Sequence, residues 1–305
     1  MPDSDSVFTL SDLASWAHPG VSLAVLGHPI KHSVSPAMHN AALARLAQSH
    51  PRFRDWRYVR FDIPPADLPQ ALEQFHAKKF RGLNLTVPHK VIAFGRVREI
   101  DPAAQPVGAI NTLRWSESGW QGFNTDGHGL ASGVQATLGR DLAAGPVILL
   151  GAGGAARGAA VECLQRGCPA LWIANRTREN LDTLLTAIRP LARQTVLHGF
   201  APDAPPAELP RGALVINATS AGLRPADPAP IDLAALPRPA AVYDMIYNPP
   251  ATPLLLQAGK LGLPCANGLT MLVHQGAKSL EIWTGVSAGQ TAPTMLAAAR
   301  AALGA

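Results

Sequence analysis

Apolar runs and amphipathic stretches alternate along this chain. Residues 21–27 form a short apolar run closed by Gly27, the pattern of a buried strand. Ser35 and Pro36 then open a helical stretch, because serine before proline is a common N-cap and first-turn pair. Residues 57–63 alternate as a strand, 68–78 have helical spacing, and 82–87 predict a strand closed by Pro88. Residues 109–115 and 120–124 predict a hairpin around a Ser/Gly turn. Strand and helix take turns, so this part is α/β.

The composition shifts near 139–145. Beyond it the pattern predicts a strand at 147–150, a glycine-rich turn, a helix reaching Arg166, a strand at 171–174, a helix at 179–188 and a strand at 214–216. That alternation belongs to a nucleotide-binding half-sheet. Residues 201–211 and 223–239 are rich in proline and read as rim loops. Helices over 269–283 and 292–303 close the chain, and no internal repeat is evident.

The length of 305 residues suits two modest domains. A hydrophobic fraction of 47% with 15% charged residues excludes a disordered chain. A net charge of +5 would suit nucleic acid, but no long Lys/Arg run with interleaved aromatics supports it. An anionic small substrate suits that charge equally well. Cys163, Cys168 and Cys265 are odd in number and form no Cys-x-x-Cys pair, so neither a disulfide frame nor a metal site is expected. The acidic N-terminus lacks the features of a signal peptide, and no apolar run approaches a membrane span. A cytoplasmic chain with a small-molecule partner, and neither nucleic acid nor membrane, is the expectation; a homodimer is compatible with it.

Gly151-Ala-Gly153-Gly154-Ala155-Ala156 lies between the strand at 147–150 and a helix. A dinucleotide needs this arrangement. Gly151 makes the tight turn, Gly153 lets the pyrophosphate approach the backbone, and the helix N-terminus offers free N–H groups. An NAD site places a carboxylate at the end of the second strand to hold the ribose hydroxyls. This chain has Asn175-Arg176-Thr177 there. A guanidinium gives charge-assisted bonds to a 2′-phosphate, so the cofactor expected is NADP.

Outside this unit, polar residues gather at strand ends, where α/β sheets hold ligands. They are Ser33 and Ser35, Asn84 and Thr86 with Lys90, Asn111 and Thr112, and Asn124-Thr125-Asp126. Two serines spaced i, i+2 can converge on one carboxylate, and Asn84 and Thr86 share a strand face. Oxidising an alcohol requires a positioned proton acceptor. Lys90, partnered by Asp126 and a substrate hydroxyl, is the candidate, although on spacing alone a surface ion pair is the better reading. His32, His39, His89, His128 and His274 are read as surface or packing histidines.

Taken in order, these segments resemble the shikimate dehydrogenase family over about residues 21–303. The resemblance also rests on Gly108-Ala-Ile-Asn111-Thr112, Gly122-Phe-Asn124-Thr125-Asp126-Gly127, Asn217-Ala-Thr219-Ser220, Tyr243-Asp-Met245-Ile-Tyr247, and Asn267-Gly268 with Gln275. It implies an α/β fold of two domains with a cleft between them: a discontinuous substrate domain, 1–128 plus 269–305, and a Rossmann-type NADP domain, 129–268. It implies reduction of 3-dehydroshikimate to shikimate with NADPH, in aromatic biosynthesis. Lys90 would move the proton with Asp126 as its partner. Ser33 and Ser35 would hold the carboxylate, and Asn84, Thr86, Asn111, Tyr247 and Gln275 would touch the substrate. Gly151, Gly153, Gly154 and Ala155 would cradle the pyrophosphate, with Asn175, Arg176 and Thr177 around the 2′-phosphate. Thr219 and Ser220 would line the cofactor cleft, with Met245 and Gly268 near the nicotinamide. Thr270 departs from the family pattern, standing where a glycine is usual beside the nicotinamide.

Two rival readings share the fold. A quinate/shikimate dehydrogenase often carries threonine at the second serine position or an acidic residue after the second strand; Ser35 and Asn175-Arg176 argue against both. A catalytically silent binding or regulatory homologue would have lost Lys90 or Asp126, and both are present.

Overall fold

A computed structural model describes residues 6–224 and 226–304. The chain divides into two units, Met1–Thr125 with Val273–Ala305, and Asp126–Leu272.

The first unit opens with β1 (Val7–Phe8), α1 (Leu10–Ala14), β2 (Val21–Gly27), α2 (Ser35–Ser49), β3 (Trp56–Asp62), α3 (Leu68–Ala77) and β4 (Gly82–Leu85). It continues with α4 (His89–Phe94), β5 (Glu99–Ile100), β6 (Thr112–Ser116) and β7 (Gly119–Phe123). The sheet runs in the order β1-β3-β2-β4-β6-β7-β5. β2 is parallel to both β3 and β4, whereas β6 pairs antiparallel with β4 and β7. β2, flanked on both sides by parallel strands, is a nearly continuous apolar run buried from Ser22 to Gly27, the usual state of a covered parallel strand. Phe61, Phe75 and Phe80 pack edge to face beneath the sheet, with centroids 4.6–6.1 Å apart, the arrangement that aromatic quadrupoles favour.

The second unit holds α5 (Asp126–Leu138), β8 (Val147–Leu150), α6 (Gly154–Arg166), β9 (Ala170–Ala174), α7 (Arg178–Ile188), β10 (Val196–Phe200), β11 (Leu214–Asn217), β12 (Ala241–Asp244), α8 (Pro253–Lys260) and β13 (Cys265–Asn267). Its sheet is parallel throughout, in the order β10-β9-β8-β11-β12-β13. Numbered from β8, that order is 3-2-1-4-5-6, the doubly wound arrangement of dinucleotide-binding sheets. The reversal between β8 and β11 puts a crevice at their carboxyl ends. α9 (Leu269–Thr284) and α10 (Ala288–Leu303) follow, and the division between the units falls within α9.

The strands and helices expected from periodicity are present, most within a residue or two of their expected bounds. One detail differs. Val34 takes the N-cap position of α2, and Ser35 is its first helical residue. The proline-rich stretches are irregular apart from a short 3-10 turn, Leu233–Ala235, capped by Asp232. Among the described residues, no helix is long and apolar enough to cross a membrane.

Candidate active site

The polar residues of the first unit converge because parallel strands deliver their carboxyl ends to one edge. Arg60, a buried residue of β3, donates from Nη1 to the carbonyls of Lys31 at 2.6 Å and Ser33 at 3.1 Å. That fixes the loop carrying the two serines, and Ser33 Oγ accepts from the Ser35 amide at 3.3 Å. Thr86 follows β4, held by its amide to the Leu26 carbonyl at 2.9 Å. It packs where a Cβ on Gly27 would stand, 2.6 Å from its methyl, which explains the glycine that ends β2.

Behind this edge lies a fully hydrogen-bonded polar network. Asn84 Oδ1 accepts from the Tyr58 hydroxyl at 2.8 Å. Its Nδ2 faces the Asn111 carbonyl, Thr112 Oγ1 and Ser279 Oγ at 3.1, 3.1 and 2.9 Å. Asn111 Oδ1 accepts from the Thr125 amide at 2.8 Å, and its Nδ2 donates to Thr125 Oγ1 at 2.9 Å and to Gln275 Oε1 at 3.3 Å. Satisfied networks of this kind fix one arrangement, because any rotated alternative strands a buried polar group. The structure thus gathers Ser33, Ser35, Asn84, Thr86, Asn111 and Gln275 in one unit. Tyr58, Arg60 and Ser279 were not singled out from sequence. Ser279 stands one helical turn beyond Gln275 on α9, and Tyr58 lies within the alternating strand, so periodicity held the only signal for either.

Lys90 is the second residue of α4 and is partly buried, its carbonyl accepting from the Ile110 amide at 3.0 Å. Asp126 is the first residue of α5, which begins the second unit. His89 is wholly buried, and its burial chiefly lowers its basicity, although the Ile63 carbonyl opposes this. His39 is buried too, its pKa pushed down to about 3 by burial. Both match the packing role expected of them. Tyr247 falls in the second unit, after β12, where burial pushes its phenol up.

In the second unit a cavity of about 370 Å³ opens at the switch point. Gly151, Gly153, Asn175, Arg176, Thr177, Thr219 and Ser220 are among its lining residues. Gly151 has φ +112, and a Cβ there would press on the Ala218 carbonyl at 3.1 Å, so its own fold demands glycine. Gly153 and Gly154 differ: a Cβ on either would meet nothing within 4 Å. The space is kept open beside the N-terminus of α6, where a pyrophosphate would lie, so the residues fit a dinucleotide. Arg176 is exposed at the rim, beyond Asn175, whose Nδ2 donates to the Thr177 carbonyl at 2.8 Å.

Thr219 is held by Asn217, whose Oδ1 accepts from its amide at 3.0 Å and its hydroxyl at 2.7 Å. The Met245 amide donates to the Asn217 carbonyl at 3.0 Å, and a Cβ on Gly268 would fall on the Met245 carbonyl. The unusual Thr270 shares a 3.2 Å hydrogen bond with the Tyr243 hydroxyl, which also accepts from the Met271 amide at 3.2 Å. Among the described residues, no three His, Cys, Asp or Glu side chains gather as a metal site.

Such a parallel dinucleotide-type sheet, joined to a second α/β unit rich in ordered polar side chains, defines the two-domain class of α/β dehydrogenases. Comparison with known proteins narrows this. Residues 25–113 match the shikimate dehydrogenase substrate binding domain, and 268–300 match the shikimate 5'-dehydrogenase C-terminal domain. The shikimate dehydrogenase (NADP(+)) of Thermosynechococcus vestitus is 40% identical over 282 residues, 90% of this chain and 93% of its own. The chain belongs to the shikimate dehydrogenase family. Among solved structures, shikimate 5-dehydrogenase from Thermus thermophilus, in complex with NADP(H) and shikimate, aligns with a TM-score of 0.79 at 35% identity, covering 92% of this chain and 99% of that one. A 5-ketofructose reductase from Gluconobacter aligns with the same TM-score of 0.79 at 30% identity, covering 92% and 99%. The fold therefore carries more than one substrate.

Proposed function

We propose that this chain reduces 3-dehydroshikimate to shikimate, reversibly, at the expense of NADPH. The observation that carries the reading is the pairing of the ordered Ser33/Ser35, Asn84 and Asn111 cluster in one unit with an arginine-rimmed dinucleotide cavity in the other.

Ser33 and Ser35 hold the substrate carboxylate, on a loop that Arg60 keeps in place. Asn84, Thr86, Asn111, Tyr247 and Gln275 bind and orient the hydroxylated ring. The open space at Gly153 and Gly154 accepts the pyrophosphate, with Ala155 beside it at the start of α6. Arg176 meets the 2′-phosphate, flanked by Asn175 and Thr177. Thr219 and Ser220 line the cofactor cleft, and Met245 and Gly268 stand near the nicotinamide. NADPH, when bound, supplies the hydride that reduces the ketone. Lys90 gives the proton to the oxygen that becomes the hydroxyl and takes it back in the reverse direction, and Asp126 keeps the ammonium oriented. The two proposed domains, 1–128 plus 269–305 and 129–268, supply the substrate and cofactor halves. The reaction belongs to aromatic biosynthesis in the cytoplasm, and a homodimer is compatible with it.

The test is a spectrophotometric assay of nicotinamide at 340 nm, an absorbance wavelength of the reduced ring itself, with shikimate or quinate and with NADP or NAD. Turnover greatest with shikimate and NADP is expected. Turnover greater with quinate, or greater with NAD, would overturn the substrate or the cofactor assignment respectively.

A further inference from the structure

Between α2, which begins at Ser35, and the Asn84 carboxamide stands one phenol. Tyr58 is 1% exposed, in the middle of the β1-β3-β2-β4 side of the first sheet, and α2 holds it by two side chains. Asn40 accepts from the Tyr58 amide at 2.9 Å through Oδ1 and donates to its carbonyl at 2.8 Å through Nδ2. His39 lies flat on the ring, with centroids 4.0 Å apart and planes within 3°. Trp283 of α9 closes another side at 6.2 Å. His39 in turn is backed by Gly276, where a Cβ would stand 3.4 Å from Nε2.

A ring held this way presents its hydroxyl at one fixed point. That hydroxyl donates to Asn84 Oδ1 at 2.8 Å. The Asn84 amide cannot turn to find another donor, because its Nδ2 faces three acceptors on the opposite side. Ser35 begins the helix that supplies both His39 and Asn40.

We infer that Tyr58 is a positioning residue for the substrate pocket. Its hydroxyl fixes Asn84, which orients the ring, and its backbone and stacked ring tie Asn84 to α2, the helix that begins at Ser35, which grips the carboxylate. The inference rests on the substrate roles proposed above for those two residues. Tyr58 itself touches neither reacting atom nor cofactor, so its removal acts on substrate binding and leaves the chemical step nearly intact.

The experiment is Tyr58→Phe, which deletes one oxygen and keeps the stacked ring. The KM for 3-dehydroshikimate rises about ten-fold, as expected for an orphaned buried acceptor. Turnover changes less than about three-fold, since transition-state contacts are retained, and the KM for NADPH does not change. An unchanged KM in a folded Tyr58→Phe protein overturns the inference. If that variant does not fold, the wild-type protein carries the test. Its three tyrosines are replaced biosynthetically by 3-fluorotyrosine, and the resonances are assigned with Tyr243→Phe and Tyr247→Phe. Saturating shikimate alone shifts the Tyr58 fluorine resonance; a resonance that stays in place overturns the inference. A wild-type enzyme without shikimate turnover defeats the proposed function instead, so the two failures are separable.

Discussion

The carboxamide of Asn217 donates to Asp244 Oδ1 at 2.9 Å, and neither side chain reaches solvent. They end the neighbouring parallel strands β11 and β12, in register with one another. Asp244 also accepts from Thr252 Oγ1 at 2.6 Å and from the Ile246 amide at 3.0 Å. Asn217, so fixed, holds Thr219 at the cavity wall. Burial pushes the Asp244 carboxyl up and the Thr252 hydroxyl pulls it back, so the three donors make this site tolerable to a carboxylate.

Asp244→Ala strands those three buried donors. We expect a loss of about 3 kcal/mol of stability, the magnitude for breaking a buried hydrogen-bonded charge. Urea unfolding measures it, and a loss under about 1 kcal/mol would show that the network relaxes around the deletion.

Lys90→Ala should lower turnover by about 10²- to 10⁴-fold, the range of a lost general acid or base. The substrate KM should change much less. A variant that turns over at a near-normal rate would remove Lys90 from the proton step.

Arg176→Ala should weaken NADPH binding by about ten- to a hundred-fold through the loss of charge-assisted bonds to the 2′-phosphate. NADH binding should hardly change. Titration of cofactor fluorescence reads both constants, and an equal loss for the two cofactors would refute the assignment.

His39 links stability to pH. Its ordinary pKa of 6.5 falls to about 3 in the folded protein, because burial excludes the charged ring. Below 6.5 the unfolded chain gains a proton that the folded chain refuses. Stability is therefore fully present above that value and is lost as pH falls, by up to about 1.4 kcal/mol per unit. His89 and His274, also lowered by burial, act in the same direction. His39→Phe keeps a ring on Tyr58 and removes the titration. Between pH 7 and pH 5 it should lose about 2 kcal/mol less than the wild type. Parallel losses in the two proteins would exclude His39 as a contributor.

Much of this fold is legible in the chain as written. The apolar runs at β2, β4, β8 and β11 have no alternative but burial, and the turn at Gly151 announces itself by residue type. Other elements are not legible. β1 and β5 have two residues each and exist only because a neighbouring strand offers hydrogen bonds. α5 contains Gly127, Gly129 and Gly133, poor helix formers on their own. Close packing accounts for two of them, since a Cβ on Gly127 would collide with the Glu162 side chain and one on Gly133 with Tyr243. β12 and β13 are short and lie among prolines and glycines, which hides their period.

For the site, local sequence names candidates wherever the chemistry asked of a residue rests on backbone geometry or on residue type at a strand end. The glycine turn at Gly151, the arginine after β9 and the paired serines are such candidates, because the chemistry proposed for them needs only near neighbours. Which groups share a hydrogen bond is a different matter. Asn84 meets Ser279 across 195 positions and Asn111 meets Gln275 across 164. Tyr58 was an ordinary strand residue until folding stacked it on His39. Hydrogen bonds require partners within about 3 Å, and no local pattern encodes a distance that only the packing of the sheet and its helices creates.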